Sequence, residues 1–126
     1  MVDAVIAFAI YLATASVFLL AFVLIYIRFT PYDEFALIAH DNTAVAITLS
    51  GAVLGFTFPL VSSIYYTQSI EEMAIWAAIT CAVQLAVFLV LRRQAKRIEQ
   101  GHIASAIMVA TFSIAVGILN AVSISH

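Results

Sequence analysis

Polar side chains are scarce in this sequence, so the few that fall inside apolar runs carry most of its chemical content. Gln84 stands near the middle of the uncharged run Met73 to Leu91, one turn from Thr80 and Cys81. An amide moved into hydrocarbon without a partner costs roughly 2–7 kcal/mol, so Gln84 must face protein or water. Two readings stay open: hydrogen-bond glue between helices, worth about 0.6–2 kcal/mol, and a polar constriction in a pore. Asn42, Thr48 and Asn120 are the other residues placed nearest such a path. His40 and His102 precede two apolar runs and could be neighbours, with Asp41 beside them. Two histidines without a third ligand of clear spacing make a poor site, and His126 belongs to the opposite end, so no metal or cofactor is expected. Cys81 is the single cysteine; it excludes an intrachain disulfide and reads as an inert buried thiol.

The apolar runs themselves contain no Asp, Glu, Lys or Arg, which counts against proton-coupled transport. There is no His-Glu-x-x-His, and no Ser or Cys nucleophile has a base at its depth, which counts against an enzyme. A passive pore lined by hydroxyls, amides or carbonyls is compatible with the same residues.

The elements that must position these side chains follow from the gaps between charges. Of 126 residues, 65% are hydrophobic and 10% charged, and mean hydropathy is +1.14. Such a composition cannot cover a water-facing surface, so a soluble enzyme and a disordered tail are excluded. The net charge of −2 leaves no footprint for nucleic acid. Uncharged stretches run from Ala4 to Ile27, Asn42 to Ile70, Met73 to Leu91 and Gln100 to His126, of 24, 29, 19 and 27 residues. A helix needs roughly 20 apolar residues to cross a bilayer, so four transmembrane helices are predicted and the lipid bilayer is the first partner. The acidic start Met1-Val2-Asp3 and the length of the first run argue that this helix is retained rather than cleaved as a signal peptide.

All five basic residues lie in two connections: Arg28 in the first, and Arg92, Arg93, Lys96 and Arg97 in the third. The positive-inside rule puts both connections in the cytoplasm and both termini on the outer, periplasmic side. In the first connection, Thr30-Pro31-Tyr32-Asp33 reads as a helix start with Thr30 as N-cap. Tyr32, Phe35, Ala36 and Ala39 would share one face of a short interfacial helix or a packed fold-back turn, with Asp33, Glu34 and His40 elsewhere. The polar patch Ser62 to Ser69 suits an outer loop with interfacial tyrosines, and Arg92 to Gln100 reads as a basic extension of the third helix, ended by Gly101.

Small residues form two stripes. In the second span Ala44, Thr48, Gly51, Gly55 and Pro59 keep one face, and Gly51 to Gly55 is a GxxxG; Pro59 frees the Gly55 carbonyl and predicts a kink. In the fourth span Ala106, Ala110, Ser113 and Gly117 do the same. Both read as close-packing seams, within the bundle or between subunits, in preference to a permeation lining. Asn42-Thr43-Ala44-Val45-Ala46-Ile47 and His102-Ile103-Ala104-Ser105-Ala106-Ile107 align at a 60-residue offset, which suggests two tandem two-helix units of parallel orientation.

The string Thr30-Pro31-Tyr32-Asp33-Glu34-Phe35-Ala36-Leu37-Ile38, with Asn42-Thr43-Ala44, Ser50 to Gly55, Pro59-Leu60, Val83-Gln84-Leu85 and Asn120-Ala121, resembles the YjfL-type family. These are small bacterial inner-membrane proteins classed as a domain of unknown function and built of duplicated two-helix units. The resemblance covers nearly the whole chain and is most specific from Thr30 to Leu60. This chain departs from it at His102, where many relatives have Asn, and in its heavier basic stretch Arg92 to Arg97. The resemblance implies an integral inner-membrane protein and supplies no catalytic or binding residues. Relatives tend to be encoded near membrane-stress proteins of the phage-shock and band-7 kinds, which implies a cytoplasmic stress-response protein as partner.

Taken together, these readings give an all-α polytopic membrane protein, one four-helix domain over residues 1–126, with units at about 1–62 and 70–126. It is expected to self-associate through the small-residue faces of the second and fourth spans, as a non-enzymatic structural or accessory component of envelope homeostasis or membrane-stress response. The alternative is a homo-oligomeric passive channel or transporter for an ion or small solute.

Overall fold

A computed structural model describes residues 1–67 and 69–124; the Gln68 part of the polar patch and the His126 reading lie outside the described residues, as does Ser125. Every regular element among the described residues is helical. Four helices are long and apolar enough to cross a membrane: α1 (Val2–Phe29), α3 (Thr43–Thr67), α4 (Ile70–Val90) and α6 (Ile103–Ile124). Two short helices, α2 (Glu34–Ala39) and α5 (Ala95–Glu99), sit in the connections. The charge-gap boundaries move by up to three residues, and α4 starts before Glu71 and Glu72. Ser69 caps it by accepting from the Glu72 N–H at 3.4 Å, and acidic residues suit the first turn of a helix dipole.

α3 lies at the centre and touches all the other helices, most extensively α6, then α4. α1 stands outside this trio. It buries only Phe22 and Tyr26, with Phe22 stacked on Phe56 at 4.4 Å and Tyr26 edge-on to Phe88 at 5.8 Å. Its first half faces outward on nearly every side, as a lipid-facing helix does.

Both connections at the basic end fold back, and three expectations are corrected there. α4 does not continue through the basic stretch: it stops at Val90, a 3-10 turn spans Arg92–Gln94, and α5 buries Ala95 and Ile98 against the bundle. The apolar pair at i, i+3 outweighs continuation of the helix. In the first connection Asp33, not Thr30, is the N-cap, accepting from the Ala36 N–H at 3.3 Å. Thr30 instead ends α1, its N–H donating to the Tyr26 carbonyl. The face of α2 is also different: Phe35, Ala36 and Ala39 point outward, while Glu34 is buried with Tyr32. Within six residues no periodicity separates these faces.

The two fold-backs end alike. Asp41 (φ 64°) and Gly101 (φ 90°) take the left-handed conformation. The next residue donates its N–H back into the short helix in each case, Asn42 to the Leu37 carbonyl at 2.9 Å and His102 to the Arg97 carbonyl at 3.0 Å. Space around Gly101 is open, so only backbone strain opposes a side chain there. Gly101→Ala is expected to cost about 1–2 kcal/mol, read as a lower melting temperature of the purified protein in detergent, whereas Asp41→Gly should leave it unchanged or higher.

Candidate functional site

The small-residue faces of α3 and α6 meet each other inside one chain. A Cβ built at Gly51 would stand 2.5 Å from the Ala110 Cα, one at Gly55 would strike the Ser113 carbonyl, and one at Gly117 would strike the Gly55 carbonyl. The two backbones therefore touch, which only glycine permits at Gly55 and Gly117. Ala44, Thr48, Ala106, Ala110 and Ser113 are buried along the same seam. α3 runs unbroken through Pro59, and the Gly55 carbonyl that Pro59 cannot engage faces Gly117. This packing places both small-residue faces within the chain.

Gln84 reaches this crossing from α4. It is fully buried, lies against Gly55, and donates its Nε2–H to the Ser113 carbonyl at 3.0 Å; its Oε1 has no partner. The other polar residues are engaged at separate levels. The Thr48 hydroxyl donates to the Ala44 carbonyl at 3.0 Å, and the Asn120 amide donates to the Thr80 hydroxyl at 3.1 Å. Asn42 accepts from the Val45 N–H, capping α3, while its amide donates to the Glu99 carbonyl at 2.9 Å. At the far end the Ser62 hydroxyl donates to the Ala121 carbonyl at 2.7 Å. The bonds of Gln84, Asn120 and Ser62, and the Asn42 amide, tie α3 and α4 to α6 and its approach from one end to the other, while the Thr48 bond stays within α3.

Sequence reasoning missed a second polar group, where α1 turns into α2. Glu34 is 1% exposed although it carries a carboxyl. Its Oε2 is 2.6 Å from the Thr30 hydroxyl, which also lies 3.2 Å from the Ile27 carbonyl. Glu34 Oε1 and the hydroxyls of Tyr26 and Tyr32 are buried without partners. Burial pushes the Glu34 carboxyl above the usual carboxylate range; hydrogen bonds from Thr30 and its own backbone N–H oppose this without cancelling it, and Asp33 adds to it. Burial likewise raises the Tyr32 phenol, reinforced by Glu34 and then by Glu99. The available signal was the Thr30-to-Glu34 string itself, which contains three of the four residues.

Arg28, Arg92, Arg93, Lys96 and Arg97 all lie exposed at this end of the bundle. His40 and His102 are exposed near it, and among the described residues no group of three His, Cys, Asp or Glu is arranged to hold a metal.

A family model described as Domain of Unknown Function (DUF350) matches residues 1–124. The chain is 32% identical over 123 residues to the UPF0719 inner membrane protein YjfL of Escherichia coli strain K12, covering 94% of this chain and 93% of that protein. The same figures hold for the protein of that name from Escherichia coli O157:H7. No solved structure matches.

Backbone contact makes the crossing intolerant of a single methyl group. Gly55→Ala and Gly117→Ala are each expected to lose about 1–3 kcal/mol or more, seen as a lowered melting temperature in detergent. Gln84→Leu trades one hydrogen bond and one orphaned acceptor for apolar contact, so its melting temperature should move by no more than about 1–2 kcal/mol allows.

Proposed function

We propose, for a chain that belongs to the family described as Domain of Unknown Function (DUF350), a non-enzymatic role as a structural or accessory component of the bacterial inner membrane, acting in envelope homeostasis or membrane-stress response. The observation that carries this reading is the α3–α6 crossing, where the Gly55 and Gly117 backbones close on each other and leave no passage between the helices. Thr48, Gln84 and Asn120, nearest to any path, spend their donors within the bundle. That is the chemistry of a rigid membrane element.

The basic end is read as cytoplasmic and both termini as periplasmic, from the arginine and lysine asymmetry. There the segment from Arg92 to Arg97 presents four exposed cations, suited to an anionic inner leaflet and to a soluble stress-response partner. Two tandem two-helix units make up the single domain. Self-association belongs to the reading too, through α1, which is exposed at every residue from Val2 to Ile10.

Liposomes holding the purified, correctly inserted protein are expected to stay tight to cations, anions and a small neutral solute. Selective flux would instead favour the homo-oligomeric channel, with its path between copies. In a Cys81→Ala background, single cysteines at the outward-facing Ala9 or Ala13 should cross-link copies in membranes, and cysteines on α6 at Leu119 should not. A periplasmically active reporter fused after the last residue is expected as well; cytoplasmic activity would reverse the orientation.

A further inference from the structure

Glu34 lacks any counter-charge. No basic side chain influences its carboxyl, and none is bonded to it. The helices packed around this corner explain why. α3, α4 and α6 bring no ionisable group to this end, and α1 brings Tyr26 and the outward-facing Arg28. The turn before α2 brings Tyr32 and the exposed Asp33, and the turn after it the exposed His40 and Asp41; the 3-10 turn brings Arg92 and Arg93, α5 brings Lys96, Arg97 and Glu99, and the turn after it His102, all exposed. An ionised carboxylate buried in such a place is held at a cost of several kcal/mol unless a cation joins it.

The hydrogen-bond geometry favours one occupant. The Thr30 hydroxyl has a single hydrogen and three acceptors in reach, Glu34 Oε2 at 2.6 Å, the Ile27 carbonyl at 3.2 Å and the Tyr32 carbonyl at 3.5 Å. If Glu34 is protonated, its acid O–H donates to Thr30 Oγ, and the hydroxyl hydrogen is free for a carbonyl. Glu34 Oε1 is then a neutral acid oxygen, far cheaper to leave unpaired than half of a carboxylate. With Glu34 ionised, Thr30 serves one acceptor only and Oε1 is a bare buried charge.

We propose that Thr30 and Glu34, screened from water by Tyr26 and Tyr32, form a proton-binding site at the basic end of the bundle, with an exchangeable proton on the Glu34 carboxyl. This site is independent of the structural role above and adds a ligand to it. The sign of its coupling is fixed. The docked segment binds the proton more tightly than an exposed carboxyl does, so docking of α2 is strongest below the ordinary carboxylate range and weakens as pH rises through the raised value.

Infrared spectroscopy of the full chain in lipid reads the proton directly. At pH 6, above the ordinary carboxylate range, a protonated-carboxyl band is expected in choline chloride that shifts on 13C-glutamate labelling, is lost in Glu34→Gln, and titrates away as pH rises further. Glu71, Glu72 and Glu99 are exposed, so the label alone assigns the band if Glu34→Gln does not fold. Absence of the band at pH 6 would overturn the proposal. Its disappearance at fixed pH when sodium or potassium replaces choline would also overturn it, by making the occupant an alkali cation.

Discussion

One backbone-to-backbone approach governs the bundle. Where α3 crosses α6, the Gly55 and Gly117 main chains are in contact, and everything nearby is arranged around that closeness. Lipid supplies no hydrophobic drive to bring helices together, so close packing and hydrogen bonds must do it. Pro59 belongs to the same device: it releases the Gly55 carbonyl on the side where Gly117 lies. Gln84 adds a third helix at this level, with its amide against Gly55 and its bond to the Ser113 carbonyl. A polar residue in the middle of a span is thus a clamp on the crossing, and its cost is moderated because one end of the amide is engaged.

The ends of the bundle use a different chemistry. At the basic end, fold-backs α2 and α5 close over the trio, and the Asn42 amide joins one connection to the other through the Glu99 carbonyl. Buried apolar residues of α5 and the buried carboxyl of α2 fill neighbouring parts of one cap, so the cap is apolar on one side and acidic on the other. Positive charge stays on its outer surface, where water or lipid headgroups reach it.

The spans and the seam were legible in the sequence for a physical reason. A span needs a long run without charge, and a close crossing needs small residues at helical spacing; both signals extend over many residues. Gln84 was legible because an amide in an apolar run must find a partner in protein or water. Glu34 was not, since its surroundings suggested a solvated acidic turn, and six residues are too few for a face to declare itself. The break after Val90 escaped for a related reason: Arg92 to Gln100 contains good helix formers throughout, and only the burial of Ala95 and Ile98 turns the chain back. That the small-residue stripes meet within one chain, and not between copies, is also beyond a stripe's own information.

α1 holds to the other helices chiefly through the rings of Phe22 and Tyr26, both in its second half. Their counterparts, Phe56 and Phe88, belong to helices made later. α1 therefore has its full hold only once the chain has been made as far as Phe88. α3, α4 and α6 make the most extensive contacts, with one another. Loss of either ring pair would loosen α1 while leaving the trio's own contacts in place.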